Sequence, residues 1–166
     1  MIDLIAIENH LPALQVVIPL LLAPVAILVS LPFLSWLVAL FGSLFCLYSS
    51  VSLFFQVSEF GKINYFMGGW LPPYGIEYVI DDASSFMIVL ISLMGVFATI
   101  FAYQSLKKEI NEKSQSKAYG MWLLALGGLL GLVTTGDAFN LFVFLEISSL
   151  SSVTLVALGS KKTREP

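Results

Sequence analysis

Residues 34–55 read LSWLVALFGSLFCLYSSVSLFF and contain no charged side chain. An α-helix needs roughly 20 apolar residues to cross the hydrocarbon core of a bilayer. This stretch has the required length, and its composition is typical of a membrane-spanning helix. Four further apolar segments have a comparable length: residues 11–30, 84–103, 118–135 and 138–158, of which only the last contains a charged residue. The sequence therefore predicts an all-α polytopic membrane protein with five transmembrane helices in a single membrane domain.

The composition of the whole chain excludes several other classes of protein. Apolar residues make up 58% of the 166 residues, charged residues make up 11%, and the mean hydropathy is +0.91. A soluble domain carries roughly a quarter charged residues and could not bury this much apolar surface. The single cysteine, Cys46, excludes a disulfide-stapled domain. A net charge of −3 without a basic stripe argues against a nucleic-acid partner.

The distribution of basic residues predicts the orientation in the membrane. Of the 8 basic residues, only Lys62 falls in a segment on the side of the N-terminus. The others lie after the third helix or after the fifth: Lys107, Lys108, Lys113, Lys117, Lys161, Lys162 and Arg164. Basic loops stay in the cytoplasm, so the N-terminus is expected outside and the C-terminus inside the cell. The segment from Lys107 to Lys117 is expected to be a solvated cytoplasmic loop.

Glu146 is the candidate functional residue, because it is the one charged residue within the five predicted spans. A charge near the bilayer centre costs on the order of 3 kcal/mol, and such residues usually mark an ion or proton path. We therefore interpret Glu146 as a proton-loading carboxylate. A structural Glu paired with a basic group on another helix is the alternative. The predicted spans contain no Lys, Arg or His that could serve as its partner.

Several polar residues near Glu146 are candidates for a supporting role. They are Asp137, Asn140, Ser148, Ser149 and Ser151. Small polar residues mediate helix packing in lipid and can also line a chain of waters, and both interpretations stay open here. Asp137 is placed to cap the fifth helix. Asp81, before the third helix, is either an anchor or an ion entry point.

Three further features predict local structure. Residues 76–80 read IEYVI, which predicts a short strand, and Trp70, Tyr74 and Tyr78 suit a bilayer–water interface. Gly127 and Gly131 form a G-x-x-x-G motif on the fourth helix, with Gly120 near the same face, and predict close helix contact. The lone His10 has no companion ligands, so no metal site is expected. No motif for a redox cofactor is present, and the chain is expected to act as a transporter subunit rather than as an enzyme.

Three segments resemble the antiporter-like proton-conducting membrane subunits. Residues 136–146 read GDAFNLFVFLE and resemble a G-D-x-F-N-x-[FY]-V-F-x-E signature of that family. Residues 68–77, GGWLPPYGIE, followed by Asp81, resemble the segment before its third helix. Residues 11–15, LPALQ, resemble the start of the D-type subunits of the multisubunit Mrp-type cation/proton antiporters. Related subunits occur in complex I and in membrane-bound hydrogenases.

The resemblance implies a function and a site. In the family, two inverted repeats of five helices form the core, and a Glu of the fifth helix pairs with a Lys of the seventh. That Glu corresponds to Glu146, which implies a proton-translocating role with protons and possibly Na⁺ or K⁺ as transported ions. The chain covers about the first third of the family pattern, which implies that it is truncated relative to the family. The partners implied are other membrane subunits in the lipid bilayer of the plasma membrane.

Two alternatives to the antiporter interpretation remain. The chain could belong to a redox-driven complex, in which proton translocation is coupled to electron flow in partner subunits. It could also be a non-transporting assembly or scaffold protein, kept for helix packing, in which Glu146 is paired with a Lys of a partner.

Overall fold

The computed structural model describes residues 9–70 and 74–159. The basic tail residues Lys161, Lys162 and Arg164 therefore lie outside the described residues. The same holds for residues 71–73 of the loop segment that carries the family resemblance.

Five helices dominate the described part of the chain, as the sequence predicts. They are α1 (Leu11–Leu28), α2 (Pro32–Phe60), α3 (Asp82–Glu109), α4 (Glu112–Thr134) and α5 (Ala138–Gly159). Each of the five is long and apolar enough to cross a membrane. The fold class predicted from the sequence is thus confirmed, and the chain is a multi-pass membrane protein.

The charged segment between the third and fourth spans is helical, and the prediction of a loop there is wrong. α3 continues to Glu109 and α4 begins at Glu112, so two residues connect them. Side chains one helical turn apart support the extension: Ser105 donates to Glu109 at 2.8 Å, and the Lys107 ammonium donates to the Tyr103 hydroxyl at 2.9 Å. Lys and Glu are good helix formers, so a charged composition marks the end of the apolar span but not the end of the helix.

α4 lies at the centre of the bundle and packs against each of the other four helices. Its glycines permit this, because a helix without side chains on one face lets a neighbouring backbone approach closely. Gly120 and Gly127 face α1, where Ile27 and Leu20 fill the space. On the other side, Gly128 faces the backbone of Ser148 on α5. The second glycine of the G-x-x-x-G motif, Gly131, faces Phe144 of α5. The motif thus serves helix contact, as predicted, but its two glycines face different neighbours.

A second constraint on the bundle is a hydrogen-bonded node at Thr99 of α3. The Thr99 hydroxyl lies 2.9 Å from the Ser43 hydroxyl of α2 and accepts a hydrogen bond from Trp122 Nε1 of α4 at 2.8 Å. Trp36 Nε1 of α2 donates to the Thr99 carbonyl at 3.0 Å. Interhelical hydrogen bonds add specificity in lipid, where the hydrophobic effect does not hold helices together. The node fixes α2, α3 and α4 relative to one another.

A two-stranded hairpin covers the end of the bundle at which α3 begins. β1 (Ile63–Phe66) pairs antiparallel with β2 (Glu77–Ile80), with Ile63 opposite Ile80. The strand predicted at residues 76–80 is thus confirmed. The hairpin is joined to the α4–α5 connection, because the Gly136 backbone N–H donates to the Glu77 carbonyl at 2.9 Å.

The α4–α5 contact gives a testable prediction about stability. A Cβ at Gly131 would lie 2.5 Å from the ring of Phe144, which is buried on α5, whereas a Cβ at Gly159 would meet no atom of the described residues within 4 Å. Gly131→Ala is therefore expected to lower the free energy of unfolding by about 1–3 kcal/mol, the usual cost of overpacking. Gly159→Ala is the matched control. Thermal unfolding in detergent measures both, and equal melting temperatures would contradict the proposed contact.

Candidate functional site

Glu146 lies in the middle of α5. It is eight residues from the first residue of the helix, Ala138, which places it about 12 Å along the axis at 1.5 Å per residue. Its side chain is exposed at the surface of the five-helix bundle. The carboxylate therefore does not point into the bundle that these helices form, but away from it.

The face of α5 that carries Glu146 is apolar and uncovered. Phe139 is 75% exposed, Phe142 is 67% exposed and Leu150 is 63% exposed. Val143 and Val153 on the same face are exposed as well. We call this surface, formed by Phe139, Phe142, Val143, Glu146, Leu150 and Val153, the Glu146 face. It is a stripe of large apolar side chains with one carboxylate at its centre.

The opposite face of α5 packs onto α4. Asn140, Phe144 and Ser151 are buried there. The Ser151 hydroxyl donates to the Ile147 carbonyl at 2.6 Å, and the Ser148 hydroxyl donates to the Leu145 carbonyl at 3.2 Å. These hydroxyls are thus bonded within their own helix, so the residues act as small packing surfaces against α4.

Of the five polar candidates around Glu146, the structure brings only Ser149 to the same side of the helix. Ser149 is exposed one turn beyond Glu146. Asn140, Ser148 and Ser151 face α4, and Asp137 lies at the end of the helix. The Asp137 carboxylate accepts a hydrogen bond from the Phe139 backbone N–H at 3.1 Å and so caps α5.

Asn140 fixes the first turn of α5 against the neighbouring elements. Its Nδ2 donates to the Thr135 hydroxyl at 3.2 Å, and its side chain also hydrogen bonds to Tyr78 of β2. The backbones of Tyr78 and Thr135 form an isolated β-bridge beside these contacts. The hairpin, the α4–α5 connection and α5 thus meet at one polar cluster, which restricts the rotation of α5 about its axis.

Tyr78 is buried, whereas the sequence suggested a position at the bilayer–water interface. It is 3% exposed, and its ring stacks between Tyr65 and Phe144 with centroids 6.5 Å from each. Burial raises the pKa of the Tyr78 phenol, an effect that its hydrogen bond with Asn140 partly offsets. The Tyr65 hydroxyl in turn lies 2.8 Å from Nδ1 of His10. The sequence shows an aromatic residue on a short strand, but the partners that bury it are distant in the chain.

Asp81 caps α3. Its carboxylate accepts a hydrogen bond from the Ser84 backbone N–H at 2.8 Å, and the Ser84 hydroxyl accepts one from the Asp81 backbone N–H at 2.7 Å. This reciprocal pair is a capping box. The bonds from the Ser84 backbone and side chain hold the pKa of Asp81 below its ordinary value. The geometry gives Asp81 a structural role at the start of α3.

Known proteins resemble this chain in sequence. It is 39% identical over 157 residues to NADH-quinone oxidoreductase subunit N of Desulforudis audaxviator, a match that covers 93% of this chain and 31% of that protein. It is 32% identical over 155 residues to the D-type Na(+)/H(+) antiporter subunit of Alkalihalophilus pseudofirmus, with the same two coverages. The chain therefore spans about a third of the length of these two relatives. No protein-family model matches the chain.

Solved structures share the fold. A chain of the Mrp complex from Dietzia sp. superposes with a TM-score of 0.79 at 29% identity, over 90% of this chain and 27% of that one. A chain of the membrane-bound sulfane sulfur reductase, an archaeal respiratory membrane complex, superposes with a TM-score of 0.78 at 29% identity. This second match covers 87% of the present chain and 30% of the other.

The five long apolar helices define a multi-pass membrane protein. Subunits of two kinds of complex match nearly the whole of the described fold. The chain is thus homologous to the antiporter-like membrane subunits and matches their N-terminal portion, as the sequence motifs predicted.

The cap on α3 generates a prediction with a pH dependence. Asp81→Ala is expected to lower the free energy of unfolding by about 1 kcal/mol at neutral pH, because an N-cap acceptor is lost. Asp81→Asn keeps an acceptor and is expected to be tolerated. Because the pKa is lowered in the folded state, the contribution of the charged cap is complete above the ordinary pKa of Asp. It is lost as the pH falls through the folded-state pKa.

Thermal unfolding in detergent between about pH 5 and pH 3 measures this loss in the wild type against Asp81→Asn. Asp82→Asn is the control, since Asp82 lies in the same first turn and does not form the capping box. A wild-type melting temperature that follows that of Asp81→Asn across this range would show that the charge of Asp81 adds nothing to the cap.

Proposed function

We propose that this chain is a proton-translocating part of a multisubunit monovalent cation/proton antiporter, and that Glu146 is its proton-loading carboxylate. One observation carries the proposal: Glu146 lies halfway along an apolar helix, on a face that the other four helices leave uncovered. The D-type Na(+)/H(+) antiporter relative and the Mrp complex structure support the choice of an antiporter.

The position of Glu146 requires a surround that this bundle does not supply. An ionised carboxylate in contact with lipid tails costs on the order of 3 kcal/mol or more, so such residues face protein or a water-filled cavity. The Glu146 face is therefore covered by further helices in the complete complex. The basic group that the family resemblance pairs with this Glu would come from those helices. A carboxylate between a hydrated path and a mobile counter-charge can bind a proton on one side and release it on the other.

The residues around the site hold α5 in place. Asp137 caps the helix, Asn140 restricts its rotation, and Ser148 and Ser151 allow close contact with α4. Ser149 is the polar residue that could extend a hydrogen-bonded path from Glu146 along the same side. Four of the five candidates thus support the carboxylate by positioning its helix.

A redox-driven complex is the second candidate. The relative named NADH-quinone oxidoreductase subunit N and the archaeal respiratory complex favour it. Both candidates use the same carboxylate and differ in what drives the proton. Proton movement driven by a sodium or potassium gradient alone supports the antiporter. Movement that requires an electron donor and acceptor supports the redox complex.

Glu146→Gln in the complete complex tests the role of the carboxylate. The substitution keeps the shape of the side chain and removes its proton site, so cation-driven proton movement in membrane vesicles is expected to fall by about a hundredfold, the lower range for loss of a proton-transfer group. Glu146→Asp keeps the carboxylate and is expected to retain part of the activity. The control is Glu59→Gln, at the exposed end of α2.

Undiminished proton movement in Glu146→Gln would refute the assignment. Loss of the assembled complex without any change in transport per complex would favour the non-transporting assembly role. Ser148→Ala and Ser151→Ala separate packing from a water path, because packing residues are expected to leave the transport rate unchanged.

The proposed orientation places the hairpin outside and the α3–α4 connection in the cytoplasm. Lys62→Cys, before β1, and Asn111→Cys, between α3 and α4, report the two sides in a Cys46→Ala background. A membrane-impermeant thiol reagent is expected to label residue 62 in intact cells and residue 111 only after permeabilisation. The reverse pattern would contradict the orientation, which rests on the distribution of basic residues.

A further inference from the structure

A cavity of about 580 Å³ lies at the end of the bundle where α3 meets α4. It is lined by residues from the start of α2, the end of α3, the two-residue connection and the start of α4. They are Pro32, Phe33, Lys107, Ile110, Asn111, Glu112 and Gln115. Its volume falls within the usual range for small-molecule sites. The charged ends of α3 and α4 form it, and such helix ends lie where lipid headgroups meet water when the apolar parts of both helices cross a membrane. The proposed proton site does not use it.

Among the side chains that the structure describes, two of opposite charge line this cavity, Lys107 and Glu112. The Lys107 ammonium lies 4.1 Å from the centroid of the Tyr103 ring and donates to the Tyr103 hydroxyl at 2.9 Å. These contacts are to a phenol and not to a carboxylate, so they orient the ammonium and leave it able to bind an anion. Glu112, in the first turn of α4, contributes a carboxylate. A ligand that carries both a negative and a positive group would complement this pair, whereas a free inorganic anion would meet the carboxylate of Glu112.

An aromatic cluster adjoins the cavity at Phe33. The rings of Phe33 and Trp36 pack near Tyr103, with centroids 6.3 Å and 4.7 Å from it. Phe33, Leu28 and Leu31 are exposed around the α1–α2 connection. Aromatic rings of this kind settle at the bilayer interface, and exposed leucines there suit acyl chains. The site thus combines a charged pair with an adjoining apolar surface.

We propose that this cavity binds the headgroup of an aminophospholipid of the phosphatidylethanolamine class. Lys107 binds the phosphate, Glu112 accepts hydrogen bonds from the primary ammonium, and the acyl chains lie along the Phe33–Trp36–Tyr103 surface. A quaternary choline headgroup has no N–H to donate to Glu112, and phosphatidylglycerol has no cation. The pair of charges therefore selects the primary amine.

Native mass spectrometry of the purified complete complex tests the site. The complex is incubated with equal amounts of phosphatidylethanolamine, phosphatidylcholine and phosphatidylglycerol, and the bound lipid is counted. Wild type is expected to retain phosphatidylethanolamine in preference to both others. Lys107→Gln is expected to lower this retention about fivefold, the usual contribution of one basic residue near a lipid phosphate. Lys62→Gln, at the other end of the bundle, is the control.

Glu112→Gln provides the second, independent arm. It is expected to remove the preference for phosphatidylethanolamine over phosphatidylglycerol while lipid is still bound. An unchanged preference in this variant would overturn the proposal, as would unchanged retention in Lys107→Gln. Displacement of the lipid by millimolar inorganic phosphate would also overturn it, because a soluble anion would then be the ligand. If Lys107→Gln fails to assemble, two other variants still test the site. Lys107→Arg keeps the positive charge and is expected to retain the lipid, and Glu112→Gln is expected to lose the preference for phosphatidylethanolamine.

Discussion

The close approach of α1 and α5 to the glycine-bearing faces of α4 is the contact on which the rest of the structure depends. Gly127 admits Leu20 and Pro19 of α1, and Gly128 admits the backbone of Ser148. In lipid, where apolar side chains gain nothing from leaving the solvent, such close backbone packing is a main source of helix association. Once α5 is packed on α4 in this way, its rotation is fixed, and Glu146 points away from the bundle.

The polar cluster at the hairpin end reinforces the same rotation. Asn140 is bonded to Thr135 and Tyr78, and Asp137 caps the first turn of α5. These residues lie on the side of the helix opposite the carboxylate or at its end. The polar residues of α5 thus have separate roles. Those that face α4 or the hairpin hold the helix, and the carboxylate that faces outward is available for chemistry. This division supports a single-carboxylate proton site.

The number of helices could be predicted from the sequence, because an uncharged stretch of about 20 residues has few structural alternatives. The helix ends could not be predicted in the same way. The charges around Lys107 suggested a loop, whereas the residues there have a high helix propensity and form a helix. The capping role proposed for Asp137 rests on local signals, and the structure shows the matching hydrogen bond. The burial of Tyr78 by Phe144 and the node at Thr99 depend on residues far apart in the chain, which a single sequence does not bring together.

The central claim is that Glu146 binds and releases a proton. Difference infrared spectroscopy on the complete complex in membranes measures this directly, with a pH gradient imposed and reversed. A carboxyl band that responds to the gradient in the wild type and is missing in Glu146→Gln is the expected result. A carboxyl spectrum that is identical in the wild type and in Glu146→Gln under both gradients would contradict the claim.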